Sequence, residues 1–194
     1  IGIAMGIRGT DVTREVAEII LLDDNFSSIV KAIEEGRRTE DNIKNFISFM
    51  LTLNFTELFI VFISLLAKLP LPLLPLQILL LNIITDSIPA LAIGIESADK
   101  DVMNRRPRNP KENILGKTTP YLVAGSLFST AIMLLLFLHL INISNVGDLK
   151  ETRTILLTAI IMFQLFFVFS FRSKKNISEI GLFSNKPLVY SVVL

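Results

Sequence analysis

The chain has 194 residues, a formal net charge of +1 and no cysteine. Hydrophobic residues make up 51% of it and its mean hydropathy is +0.59, which is too apolar for an ordinary soluble domain and predicts a protein of the lipid bilayer. The balanced charge gives no reason to expect a nucleic-acid partner. The lack of cysteine excludes disulfides and thiolate metal sites from this chain.

The first 45 residues have the character of a soluble segment. Two apolar runs of strand length, at residues 1–6 and 18–22, flank residues 10–17, which have capping residues followed by helical spacing. This order is typical of the end of an α/β domain, whose buried strands are apolar throughout. We therefore predict that residues 1–26 end a cytoplasmic domain and that residues 27–45 form a helix leading to the membrane.

Long apolar spans follow, and their lengths fit membrane-crossing helices. We place them at about residues 46–66, 71–95, 121–141 and 154–171, with the start of a further span at 188–194. The helix before the first span runs into it without a break signal, and Gly36 is its only interruption. The predicted fold is mainly α, a polytopic transmembrane helix bundle over residues 46–194 preceded by a short α/β remnant. Because the chain begins at Ile1 and stops inside an apolar run, we expect it to be a piece of a larger protein.

Basic residues in the short loops predict the orientation in the membrane. Ten fall in the loops at residues 97–119 and 172–187, namely Lys100, Arg105, Arg106, Arg108, Lys111, Lys117, Arg172, Lys174, Lys175 and Lys186. The opposite side carries three, namely Lys68, Lys150 and Arg153. The N-terminal segment and both basic loops are therefore predicted to lie in the cytoplasm.

Two of the spans carry carboxylates with neutral oxygen donors beside them. The first holds Asn54 and Glu57, and the second holds Asn82, Thr85 and Asp86. Offsets of three and four place each set on one helix face. One carboxylate at mid-span costs roughly 2.5–3.5 kcal/mol on insertion scales, and no Lys or Arg lies inside the four spans to neutralise it. A cation is the remaining partner, and these oxygen ligands suit hard ions such as Ca²⁺, Na⁺ or K⁺. Taken singly, Asn54 and Thr85 fit interhelical hydrogen bonding equally well.

The second span is predicted to be broken near its middle. Pro89 lacks the amide that would bond to the carbonyl of Thr85. Broken helices at this depth are tolerated where freed carbonyls line a site, and a simple proline kink is the alternative. In the broken form we expect Asp86 to point toward the helix of Glu57.

Several separated motifs occur in order along residues 1–120. They are Ile-Gly-Ile-Ala-Met-Gly at 1–6, Leu-Asp-Asp-Asn-Phe-Ser at 22–27, Glu-Gly-Arg at 35–37, Asn-x-x-Glu at 54–57, Asn-Ile-Ile-Thr-Asp-Ser-Ile-Pro at 82–89 and Met-Asn-Arg-Arg-Pro-Arg-Asn-Pro at 103–110. The series resembles type II P-type cation-transporting ATPases, from the end of their phosphorylation domain through their fifth and sixth membrane helices and the loop that follows. Residues 121–194 are similar to the next membrane helices, through the eighth, mainly in topology.

This resemblance implies a set of cation ligands, namely Asn54, Glu57, Asn82, Thr85 and Asp86. Asn82 resembles the calcium pumps, since sodium/potassium pumps typically have Asp there. Gln164 in the fourth span is a further candidate ligand. It stands where two-site, sarcoplasmic-reticulum-type calcium pumps carry Glu. Plasma-membrane-type calcium pumps have Gln there but lack the carboxylate found here at Glu57, so one or two ions per cycle both stay open.

By the same resemblance, the intact protein is an enzyme, an ATP-driven translocase that exports Ca²⁺ from the cytoplasm. The motifs Asp-Lys-Thr-Gly-Thr and Gly-Asp-Gly-x-Asn-Asp are absent from this sequence. ATP and Mg²⁺ are therefore expected to bind outside it, and it holds no catalytic residue. Expected partners are the bilayer, the cation and the upstream domains, and the expected location is the plasma membrane.

Two other functions remain open from the sequence. A sodium/potassium-type P-type ATPase is the nearest alternative, and a secondary cation antiporter is the alternative from another class. Residues 1–45 argue against the antiporter, because such a protein does not need an α/β domain fused to a membrane helix.

Overall fold

The computed structural model describes residues 1–107, 109, 111, 113, 115, 116, 118–143, 149–172, 181 and 184–193. Of the basic loop residues used above, Arg108, Lys117, Lys174 and Lys175 lie outside this part of the chain. The chain divides into two compact units, Ile1–Glu40 with Ala98–Arg106, and Asp41–Ser97 with Pro107–Leu194. The functional boundaries expected at residues 26 and 45 stay predictions.

The N-terminal segment folds as strand, helix and strand, which confirms that prediction. Its elements are β1 at Ile3–Met5, α1 at Asp11–Val16 and β2 at Ile19–Leu21. The two strands pair in parallel, with Ala4 opposite Ile20. Helix α1 begins after Thr10 because its Oγ1 accepts the N–H of Thr13 at 3.3 Å, which caps the first turn.

A tight turn leads from β2 into the next helix. Asp24 has a positive φ of 48°, and its carboxylate accepts the N–H groups of Ile7 and Arg8, each at 2.8 Å. These hydrogen bonds, that of Ile7 first, lower the pKa of Asp24. Asn25 Oδ1 then accepts the N–H of Ser27 at 3.0 Å, where the helix begins.

Helix α2, Ser27–Leu66, is one helix of 40 residues, as predicted for residues 27–66. At 1.5 Å per residue it is about 60 Å long, twice the hydrocarbon thickness of a bilayer. Gly36 does not interrupt it, and a Cβ at this position would meet no atom within 4 Å. Within the first unit, Arg37 Nη1 donates to the carbonyls of Val102 at 2.8 Å and Arg105 at 2.9 Å.

The second span is a helix in three parts, which confirms the predicted break. The parts are α3 at Pro75–Leu81, a π-helical segment at Asn82–Ser87 and α4 at Ile88–Gly94. The distortion is a widened turn that ends two residues before Pro89 rather than a simple kink. The start expected near residue 71 is wrong. The helix begins with Pro75, which needs no N–H partner in the first turn, and the Leu74 N–H is capped by Gln77 Oε1 at 2.9 Å.

The remaining helices lie close to their predicted positions. They are α5 at Thr119–Ile143, α6 at Leu149–Phe167, which continues as a 3₁₀ turn at Val168–Phe171, and α7 at Lys186–Val193. Helix α6 starts five residues before the apolar run because Lys150 and Glu151 add a polar first turn, where the acidic side chain suits the helix dipole. Within the described ranges, four helices are long and apolar enough to cross a membrane, as expected for a polytopic bundle.

Two clusters of buried apolar side chains form the core of the second unit. One contains Phe49, Leu53, Ala90, Ala92, Ile93, Val168 and Leu188. The other contains Ile60, Leu73, Leu81, Met133, Phe137, Leu156 and Ile160. Helix α2, the second span and the chain from α6 into its 3₁₀ turn each contribute to both clusters. On each of them, the interval between the clusters contains the polar residues that the sequence singled out.

Threonine hydroxyl groups inside the spans bond to their own helices. The side chains of Thr52, Thr56, Thr130 and Thr158 donate to the carbonyl four residues earlier, at 2.7–2.9 Å. Each hydroxyl hydrogen therefore has an acceptor without help from a neighbouring helix.

Candidate ion-binding site

The first half of the candidate site lies on α2. Asn54 and Glu57 are one helical turn apart, between Leu53 of the first apolar cluster and Ile60 of the second. Glu57 is buried, with 4% of its surface exposed, whereas Asn54 is exposed in this chain. Asn54 Nδ2 donates to the carbonyl of Met50 at 2.8 Å, so its amide group is held along the helix.

The second half lies in the π-helical segment. A π turn bonds each N–H to the carbonyl five residues earlier, so it holds more residues than an α turn and reorients the side chains that follow. Thr85 and Asp86 are adjacent in sequence, yet both are buried, at 0% and 1% exposure. The widened turn therefore presents two neighbouring polar side chains to the interior.

Sequence analysis did not single out Ser87, which supports this widened turn. Its Oγ donates to the carbonyl of Asn82, five residues earlier, at 3.1 Å. This is the carbonyl that the π-helical backbone uses, so the side chain adds a second donor to it. A hydroxyl residue five positions after Asn82 and two before Pro89 is the sequence signal that could have identified it.

The two halves meet at Asp86. Asn54 Nδ2 donates to Asp86 Oδ2 at 3.4 Å, and Thr85 Oγ1 lies 3.3 Å from Asp86 Oδ1. The carboxylate of Asp86 thus faces α2, as the sequence predicted.

Gln164 of α6 joins the two halves from a third helix. Its Oε1 accepts the hydroxyl of Thr85 at 2.7 Å, and its Nε2 donates to Glu57 Oε1 at 3.2 Å. The Thr85 hydroxyl has one hydrogen and two other acceptors within reach, the carbonyl of Leu81 at 2.8 Å and Asp86 Oδ1 at 3.3 Å, so it can donate to only one of the three at a time. When the hydroxyl of Thr85 donates to Gln164, the buried amide of Gln164 connects Glu57 to the π-helical segment.

Asn82 is the predicted site residue that lies outside this hydrogen-bonded network. Its Oδ1 is buried and has no hydrogen-bond partner within the part of the chain that the structure describes. A buried oxygen without a donor is unfavourable, and a bound cation would satisfy it. The structure thus connects Asn54, Glu57, Thr85, Asp86 and Gln164, and it leaves Asn82 with an unused acceptor.

The network has two carboxylates and no basic side chain. Across the described residues, none of the ion pairs involves Glu57 or Asp86, and no three His, Cys, Asp or Glu side chains cluster as a metal centre. Two carboxylates with amide and hydroxyl oxygens around them form a set that suits a hard cation.

Comparisons with known proteins give cation-transporting ATPases as relatives of this chain. The family described as cation transporting ATPase, C-terminus, matches residues 70–194. The chain is 37% identical over its whole length to a calcium-transporting ATPase of Bacillus subtilis (strain 168), of which it covers 22%. It is 42% identical over its whole length to calcium-transporting ATPase type 2C member 2 of Rattus norvegicus, of which it covers 21%. It is 40% identical over 98% of its length to calcium-transporting ATPase 1 of Yarrowia lipolytica, of which it also covers 21%. The chain therefore spans about a fifth of the length of these relatives.

Proposed function

This chain belongs to the cation-transporting ATPase family, and from that premise we propose that it is the ion-binding membrane portion of a P-type pump that exports Ca²⁺ from the cytoplasm. The observation that carries the proposal is the joint burial of Glu57 and Asp86 without a basic partner in the described chain. Two uncompensated carboxylates at membrane depth are costly, and a transported cation supplies the missing charge. The family membership also removes the antiporter alternative.

The ligand set favours Ca²⁺ as the transported ion. Ca²⁺ takes six to eight oxygen ligands at about 2.3–2.6 Å, with carboxylates to offset its dehydration. Glu57 and Asp86 supply the charge in this proposal, and the neutral oxygens come from Asn54, Asn82, Thr85 and Gln164. The relatives compared above are all calcium-transporting ATPases by name, which supports the same ion.

The energy source lies outside this chain in the proposal. Residues 1–26 would be the end of the phosphorylation domain, and the upstream domains would bind ATP and Mg²⁺ and accept the phosphoryl group. Movement of those domains would reach the ion site through α2, which runs unbroken from Ser27 to Leu66 and carries Glu57. The intact protein, and not this portion, would be the enzyme.

The protein is a multi-pass membrane protein. We propose the plasma membrane as its location and an orientation with the basic loops on the cytoplasmic side. The orientation follows the distribution of Lys and Arg. Fractionation of the source cells, with the pump detected by an antibody, tests this location.

Phosphoenzyme formation by the purified full-length pump tests the choice of ion. The pump is incubated with ATP over a titration of Ca²⁺, and with Na⁺ or K⁺ in place of Ca²⁺. We expect the acid-stable phosphoenzyme to rise with Ca²⁺ and not with the monovalent ions. A response to Na⁺ without one to Ca²⁺ would show that the sodium/potassium-type alternative is correct.

A further inference from the structure

A buried pair of charged side chains, Glu96 and Arg172, lies in the bundle outside the hydrogen-bonded network of the ion site. Glu96 follows the end of α4, and Arg172 follows the 3₁₀ turn after α6. Both are buried, with 9% and 4% of their surfaces exposed. Arg172 Nη2 donates to Glu96 Oε1 at 2.8 Å and its Nε donates to Oε2 at 3.0 Å. Two parallel hydrogen bonds of this kind fix the relative orientation of both groups.

The start of α7 completes the hydrogen bonding of this pair. Asn185 Nδ2 donates to Glu96 Oε2 at 2.5 Å, and Asn185 Oδ1 caps α7 by accepting the N–H of Leu188 at 2.9 Å. Arg172 also donates to Ser184 Oγ at 2.7 Å. Glu96 and Arg172 thus each have a further hydrogen-bond partner at the start of α7 or just before it.

Helix α2 holds the same two residues through their backbones. Asn42 Nδ2 donates to the carbonyl of Glu96 at 2.9 Å, and Asn45 Nδ2 donates to the carbonyl of Arg172 at 3.0 Å. The residues after α4 and α6 are therefore attached to α2 at points less than one turn apart, about three to four turns before Glu57.

We propose that the Glu96–Arg172 pair is a positioning device for the ion site. It fixes the end of α4 to the end of the 3₁₀ turn after α6, and Asn42 and Asn45 of α2 donate to the backbone carbonyls of the same two residues. Through α4 the pair holds Asp86 in place relative to Asn54 and Glu57. Helix α4 has seven residues, so about 10 Å of rigid helix separates the fixed end from the π-helical segment. The inference rests on the proposed transport function, because its effect is on the affinity for the transported cation.

Stability alone is a poor explanation for this pair. A buried ion pair is often no more stabilising than packed apolar residues of similar volume, whereas removing one partner leaves an uncompensated charge. A bidentate pair with further bonds to Asn185 and Ser184 does, however, define one position for the end of α4. The pair therefore fixes the position of α4, and this position matters where side chains of two helices must bind one ion together.

The experiment compares the full-length wild-type pump with Glu96→Gln, Arg172→Gln, Arg172→Lys and the double variant Glu96→Gln with Arg172→Gln. The Ca²⁺ concentration for half-maximal phosphorylation by ATP is measured for each, together with the maximal phosphoenzyme per folded pump. We expect each single Gln variant to raise the half-maximal Ca²⁺ concentration about tenfold, as for coupled neighbouring residues, at an unchanged maximum.

The other variants separate positioning from charge loss. Arg172→Lys keeps the charge without the bidentate geometry, so its shift should be intermediate. The double variant removes both charges of the pair and leaves two amides that can bond to each other, so it should return to within about threefold of the wild type. Arg153→Gln is the matched control, since Arg153 makes a hydrogen bond to the carbonyl of Leu71 in an exposed loop, and its Ca²⁺ response should not change.

The opposite pattern overturns the proposal. If the single variants lower the yield or the melting temperature of the pump while half-maximal Ca²⁺ stays within twofold, the pair only fastens helices together. If a single Gln variant does not fold, the half-maximal Ca²⁺ concentrations of Arg172→Lys and of the double variant test the proposal in its place. If the wild type responds to Na⁺ or K⁺ instead of Ca²⁺, the calcium proposal fails, and the variants titrated with that ion still decide the positioning role.

Discussion

Within the described part of the bundle, buried carboxylates occur in two opposite electrostatic arrangements. Glu96 is matched by Arg172 through two hydrogen bonds of 2.8 and 3.0 Å. Glu57 and Asp86 are equally buried, but their partners in the described chain are the neutral side chains of Gln164, Asn54 and Thr85. All three carboxylates are buried, so the difference lies in the partner and not in the exposure of the side chain.

This difference indicates what each group can do. A guanidinium that is part of the chain neutralises a carboxylate permanently, so the group is fixed and suited to hold helices in place. Carboxylates with only neutral donors keep a charge that a mobile cation can neutralise and then release. The second arrangement is the one that transport requires, and each of the following experiments changes one side of the comparison.

The largest effect is expected at Asp86. It faces α2 from the widened turn and contacts both Asn54 and Thr85, so Asp86→Asn should abolish Ca²⁺-dependent phosphorylation of the full-length pump by ATP. Asp11→Asn is the control, since that carboxylate is 92% exposed in the first unit. Normal transport by Asp86→Asn would remove the centre of the proposed site.

A smaller loss is expected at Glu57. Glu57→Gln removes one charge but keeps an oxygen ligand, so half-maximal Ca²⁺ should rise about tenfold or more, which corresponds to at least 1.4 kcal/mol. Binding of radioactive Ca²⁺ to the purified variant would also show whether one of two sites has gone. A loss as complete as that of Asp86→Asn would mean that the two carboxylates are equivalent.

The sign of the effect on stability separates the two groups without any transport assay. In the presence of a chelator, Glu57→Gln should raise the melting temperature of the full-length pump, because it removes an unpaired buried charge. Glu96→Gln should lower it, because the variant breaks the buried bidentate pair with Arg172, which costs about 3–5 kcal/mol. Thermal unfolding in detergent measures both, and shifts in the same direction would contradict the comparison.

The smallest effect is expected at Gly36, outside both groups. A Cβ there meets no atom within 4 Å, so Gly36→Ala should stabilise α2 by up to about 1 kcal/mol through helix propensity alone. Because a stiffer helix changes only the transmission of motion, ATP turnover should fall about twofold while half-maximal Ca²⁺ stays unchanged. Ala32→Gly, one turn earlier on an exposed face, should destabilise the helix, and a change in Ca²⁺ affinity for either variant would argue against a purely mechanical role.

Much of this architecture could be predicted because it depends on local patterns. The apolar lengths gave the spans, the lack of a break signal gave the continuous α2, and Pro89 with Asp86 indicated a broken second span. The form of the break was not predictable, since a π turn depends on the hydroxyl of Ser87 and on how the neighbouring helices pack.

The long-range contacts explain what sequence reasoning could not reach. Glu96 and Arg172 are 76 residues apart, and each taken alone is typical of the polar end of a membrane span. Arg172 therefore counted only as a sign of orientation. Gln164 could be named as a candidate, but its bridging of Thr85 and Glu57 depends on the packing of three helices.

Membrane insertion makes different demands on the polar residues of the first span. As α2 leaves the ribosome and enters the bilayer, the hydroxyl groups of Thr52 and Thr56 already have acceptors in their own helix. Among the hydrogen bonds of the described chain, none joins the side chain of Glu57 to its own helix, and its partner Gln164 is synthesised 107 residues later. The first span should therefore insert weakly when expressed alone, by roughly the 2.5–3.5 kcal/mol that a central carboxylate costs, and it should insert fully once α6 is present.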